Sequence, residues 1–155
     1  MKSPQISKPV RASHTYVQNL VASAKDVFPL LCPVRELEWV KGWPLTACYS
    51  NSGLAENDCV FITESSGRSV VWMITQYDVD NTFIEMIRIN PEETACRLQI
   101  QLKEILHDSC SASISYTHTA LCPDGEKFVE KYTAEYFADF MKDWEDALNK
   151  FLSER

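Results

Sequence analysis

Tyr116 and His118 stand out in the stretch Ser109 to Leu121, where they share one parity with Ala112 and Ile114 while Ser111, Ser113, Ser115, Thr117 and Thr119 hold the other. In a strand that parity is one face, and here it is the dry one. A histidine facing a covered interior can move a proton near neutral pH, and a neighbouring tyrosine can polarise a carbonyl or orient a phenol. The plainer alternative is a core histidine hydrogen-bonded to a neighbour. Arg88 stands at the parity of Ile84 and Met86. If that side faces inward, its guanidinium awaits an anionic ligand group, since a buried charge without a partner is costly; otherwise it is solvated or pairs with Glu85 or Glu104. Trp72 carries the same ambiguity of face. Trp39 and Trp43 flank Lys41-Gly42 and form either a moving lid whose rings grip an apolar guest or a packed corner.

Most catalytic templates are missing. The chain has no Gly-x-Ser-x-Gly, no His-Glu-x-x-His, no Gly-rich phosphate loop and no dinucleotide fingerprint. Asp26, Glu36 and Glu38 lie on short helical stretches with no spacing that selects an acid and base pair. Six cysteines stand far apart, without Cys-x-x-Cys or a His in zinc-ligand spacing, and read as small buried hydrophobes in a reducing compartment. No metal and no cofactor is expected. The formal net charge of -7, with fifteen scattered Lys and Arg, argues against nucleic acid.

The elements that must position these residues follow from periodicity and turn chemistry. Residues 1 to 10 read as a loose polar leader, and residues 11 to 155 as one domain. Ser13 to Val21 is a first strand. Ser23-Ala-Lys-Asp26 begins a helix, and Pro29 and Pro33 divide it into two short ones, roughly 24 to 31 and 34 to 40. Six strands then succeed one another: Leu45 to Ser50, Asp58 to Glu64, Ser69 to Asp78, Thr82 to Asn90, Thr94 to Leu106 and Ser109 to Leu121, with short turn-forming links that make them antiparallel neighbours. The strands Ser69 to Asp78 and Thr82 to Asn90 are apolar on both parities, so a loop or a second subunit should cover their outer face, which makes a homodimer one expectation. Asp124 to Leu152 carries Val129, Thr133, Tyr136, Phe137, Phe140, Met141, Trp144 and Leu148 at three- and four-residue intervals. That spacing predicts one unbroken helix of roughly 40 Å. No run is long and apolar enough to span a membrane and no signal-peptide core is present, so the expectation is a cytoplasmic protein without stable membrane insertion.

Seven strands about 4.8 Å apart make a sheet roughly 30 Å across, while one helix with its side chains is about 10 to 12 Å thick. The sheet must therefore curl around the helix, with the short helices closing one end. A hollow between helix and sheet then holds apolar molecules unless the aromatic side chains fill it.

The order of strand, two short helices, six meandering strands and long C-terminal helix resembles the helix-grip superfamily of START-related proteins, an α+β fold shared by the birch pollen allergen family, lipid-transfer START domains and bacterial polyketide cyclase/dehydrase-like proteins. The resemblance runs from about Ala12 to Leu152. Its most particular stretch, Val27-Phe28-Pro29-Leu30-Leu31-Cys32-Pro33-Val34-Arg35-Glu36 followed by Trp39 and Gly42-Trp43, is similar to the bacterial cyclase-like branch. It implies a cavity for lipids, sterols, polyketides or hormones, without a metal or organic cofactor in most cases. The expected lining is Trp39, Trp72, Met86, Arg88, Ile114, Tyr116, His118, Tyr136 and Phe140. Three functions follow: a binding protein or carrier for a small apolar molecule, a polyketide or aromatic-ring cyclase or dehydratase using His118 and Tyr116, or a ligand-free interaction module.

Overall fold

The computed structural model describes residues 1–155. Strand β1 (Arg11–Leu20) leads into helix α1 (Ala24–Val27) and two 3₁₀ turns, Phe28–Leu31 and Arg35–Glu38. Ser23 caps α1 by accepting from Asp26 N, and Pro29 sits where its missing N–H is harmless while its fixed φ tightens the chain into 3₁₀ geometry. Strands β2 (Leu45–Tyr49), β3 (Val60–Ser65), β4 (Arg68–Asp78), β5 (Phe83–Asn90), β6 (Thr94–Leu106) and β7 (Ser109–Ala120) follow. The strand expected from Asp58 to Glu64 starts later, at Val60, because Asp58 holds a φ of 66° that a strand does not admit. Between β3 and β4 the two-residue turn Ser66-Gly67 has φ of 52° and 75°, the mirror-image geometry that matches strand twist.

All pairings are antiparallel, in the order β1-β7-β6-β5-β4-β3-β2. Register across the sheet decides which residues share the inner face. One cross-strand row runs Phe61, Trp72, Arg88, Cys96, His118, and the next Ile74, Met86, Leu98, Tyr116, His14. The doubly apolar strands are thereby resolved: Val70, Trp72, Ile74, Ile84, Met86 and Arg88 point inward. Val71 and Met73 point outward and remain exposed, with Ile87 and Ile89 beside them half-buried.

The expected single C-terminal helix is broken. Helix α2 (Pro123–Lys131) ends at Tyr132, and α3 (Ala134–Ser153) restarts after Thr133. Thr133 takes extended geometry and its hydroxyl accepts from Tyr136 N at 3.1 Å, while His14 Nε2 donates to the Tyr132 carbonyl at 2.7 Å. A cap on one side and a carbonyl captured by β1 on the other outweigh continuation of the helix. α2 lies flat on the turn between β5 and β6, close enough that a Cβ on Gly125 would stand 1.9 Å from the Glu93 carbonyl oxygen. Thr133→Ala is expected to lower stability by about 1 kcal/mol, read as a shifted urea midpoint with unchanged slope. An unchanged midpoint would show the capture by His14 alone to suffice.

α3 is stitched to the edge strand β1. Gln18 Nε2 donates to the Met141 carbonyl at 2.9 Å, Asn19 N to Glu145 Oε2 at 2.5 Å, and Val21 N to Asn149 Oδ1 at 3.0 Å. The Asn19 and Val21 bonds occupy backbone donors that would otherwise invite another strand. No helix is long and apolar enough to cross a membrane.

Candidate functional site

A cavity of about 430 Å³ lies between the inner face of the sheet, α3, α2 and the second 3₁₀ turn. The inward rows of β4 to β7 build its floor: Trp72, Met86, Arg88, Leu98, Ile100, Ile114, Tyr116 and His118 all line it. Ile114, Met86 and Tyr116 are buried there. From α3, Tyr136 and Phe140 reach the wall, but at 55% and 37% exposure they form its rim.

Trp39 corrects the expected lining. Its Nε1 donates to the Leu30 carbonyl at 3.0 Å and its ring stands edge-on to Trp144 at 5.3 Å, which buries it behind the wall. Trp43 lines the cavity instead, with Nε1 bonded to the Pro33 carbonyl at 2.9 Å. Two indoles fixed to carbonyls make a packed corner rather than a moving lid. Sequence reasoning also passed over Glu36, Phe61, Phe128 and Tyr132, all on the wall. Tyr132 was hidden by the helix break, and Glu36 by its ordinary-looking Arg35-Glu36-Leu37-Glu38 setting.

The polar groups divide into paired and unpaired. Arg88 makes no ion pair: Glu85 binds Thr75 and Gln99, Glu104 accepts from Ala24 N, and the guanidinium lies over Trp72 at 5.5 Å from the ring centre. Trp72 is itself held by stacking on Phe61 at 5.2 Å and by Nε1 donating to Thr63 Oγ1 at 2.9 Å. His118 is 3% exposed, enclosed by Tyr132 at 4.3 Å and Phe128 at 5.1 Å between ring centres. Its Nε2 lies 3.8 Å from Cys96 Sγ and its Nδ1 has no partner. Burial, with the charges of Arg88 and His14 adding to it, holds His118 down at about 4. A ring protonated only in that range is a hydrogen-bonding group at neutral pH rather than a proton shuttle. Burial pushes the Tyr116 phenol well above its usual range, so it stays a neutral donor. Cys96 is pushed up to about 12, again by burial, so no Cys-His ion pair forms.

No protein-family model matches the chain, and no curated protein matches it. Solved structures do. Truncated norcoclaurine synthase from Thalictrum flavum superposes with a TM-score of 0.71 over 99% of this chain and 99% of that one, at 16% identity. A START superfamily protein from Mycobacterium smegmatis gives 0.62 over 91% and 98%, at 16% identity, and Ara h 8.0201 gives 0.63 over 94% and 99%, at 9%. The fold is the helix-grip fold of the START and Bet v 1-like superfamily. At these identities the likeness is one of fold. The hollow between helix and sheet is left open in this chain by the protein's own side chains.

Proposed function

We propose that this helix-grip protein binds a small, largely apolar molecule in the cavity and holds an anionic or strongly accepting group of that molecule on Arg88. The observation that carries this reading is a guanidinium with no carboxylate partner on the wall of a mostly apolar cavity of about 430 Å³. Arg presents five donors in a rigid fork, and such a group facing an apolar enclosure gains most from an oxyanion. Aromatic lining from Phe61, Trp72, Tyr116 and Phe128 favours a flat guest. Norcoclaurine synthase, of the same fold, has been solved in complex with dopamine and hydroxybenzaldehyde, both small aromatics.

Titration with 2-naphthoate, a flat ring system with one carboxylate, tests the reading. One equivalent is expected to bind, and Arg88→Met is expected to weaken it roughly ten- to a hundredfold, the range of a charge-assisted hydrogen bond. Arg88→Met keeps the side-chain stem over Trp72, so a loss of affinity reports the charge. No binding, or binding indifferent to Arg88→Met, overturns the assignment.

A further inference from the structure

The fold contains two buried glutamates in opposite circumstances. Glu145, on α3, is 5% exposed and fully engaged: it accepts from Asn19 N at 2.5 Å, from Lys142 Nζ at 3.1 Å and from Tyr16 at 3.5 Å. That is how a structural carboxylate survives burial. Glu36, on the second 3₁₀ turn, is 8% exposed and stands on the cavity wall. No hydrogen bond and no charged partner acts on it, and burial alone raises its carboxyl well above the usual range. Arg35 and Glu38, its neighbours on the same turn, bond to each other at 3.0 Å and leave it alone. Arg88 lines the same cavity, yet the two make no ion pair.

A carboxyl that the fold neither pairs nor exposes is kept for something that enters the space in front of it. We propose that Glu36 acts as a neutral acid donating a hydrogen bond to a carbonyl oxygen of the bound molecule, so that the ligand class is an apolar acid carrying a second, carbonyl oxygen away from its anionic end. This rests on the reading that Arg88 takes the anionic group. The ionisable groups facing the same cavity are Glu64 at its exposed mouth, Arg88, His118, Tyr116, Tyr132 and Tyr136. His118 is already neutral well below pH 6, and Tyr116 and Tyr132 are raised by burial. Burial raises the Glu36 carboxyl well above its usual range, so it keeps its proton to higher pH than an exposed carboxylate does.

The experiment compares 2-naphthoate with 6-acetyl-2-naphthoate, which adds one acceptor and no donor. In the unaltered protein at about pH 6 the ketone is expected to bind roughly tenfold more tightly, the worth of one buried hydrogen bond. That preference is expected to weaken as pH rises and Glu36 gives up its proton. Glu36→Gln, whose amide still donates, is expected to keep the preference at every pH, and Glu36→Leu to abolish it at every pH. A preference that survives Glu36→Leu, or one that does not change with pH in the unaltered protein, overturns the proposal. Binding of 2-naphthoate with no advantage for the ketone overturns it and leaves the Arg88 reading standing. Binding of neither probe overturns both.

Discussion

Phe137→Ala is expected to lower stability by about 3–5 kcal/mol, the cost of deleting a large aromatic from a site that cannot collapse. Phe137 is 1% exposed and sits in the first turn of α3, with Tyr116 at 5.2 Å, Tyr132 at 6.0 Å and His14 at 6.1 Å between ring centres. These partners come from β7, from the α2–α3 joint and from β1, so one ring holds three elements together. Its own backbone N–H is already committed to the Thr133 carbonyl at 3.0 Å. The neighbours therefore cannot follow the missing ring inward without breaking the joint. Phe140, three residues on and 37% exposed at the rim, provides the contrast: Phe140→Ala should lower stability by only about 1 kcal/mol because far less apolar area leaves contact. Urea midpoints at constant slope measure both. Equal losses for the two variants would mean that the start of α3 is not anchored where the packing places it.

Acid is expected to destabilise the protein through His118. Unfolded, the ring ionises near 6.5; folded, burial and the nearby Arg88 and His14 hold it to about 4. A depressed folded value means that the unfolded chain binds the extra proton first. Stability is thus complete above pH 6.5, falls as pH drops below it and levels off below about 4, with a loss of about 3 kcal/mol. His118→Gln should remove this component of the pH profile while leaving stability at pH 7.5 within about 1 kcal/mol. Glu36 acts in the opposite sense. Its raised carboxyl makes the folded state the better proton binder, so its contribution falls as pH rises above the ordinary carboxylate range. A profile that declines at neither end would mean that water reaches both groups freely.

The strands were legible because each rests on local chemistry: alternation in β6 and β7, and turn residues at every link between strands. Both the curl of the sheet and its hollow follow from the widths of a sheet and a helix, which need no tertiary detail. The joint at Tyr132-Thr133 was not legible, because Thr133 sits on the helical stripe where its spacing counts as continuation; the competing cap gains its advantage from His14, 118 residues away in the chain. Trp39 and Trp43 look equivalent in sequence, and only their two different carbonyl partners decide which one meets the cavity. The choice of parity in β4 and β5 was equally hidden, since both faces are apolar and the pairing register settles it. Glu36 shows the limit most plainly. A glutamate beside an arginine and another glutamate reads as surface, and its burial arises solely from how the 3₁₀ turn folds over the sheet.

The seam between α3 and β1 runs along one flank only. Gln18, Asn19, Val21, Met141, Glu145 and Asn149 fasten that flank from the middle of the helix toward its end. Tyr136 and Phe140 overhang the other flank with much of their surface in water. The helix is bound like the cover of a book, along a spine. Evolution or an engineer can therefore recut the free margin, trading the rings at 136 and 140 for larger or smaller ones to change which molecules slip beneath, while the binding that keeps the volume together goes untouched.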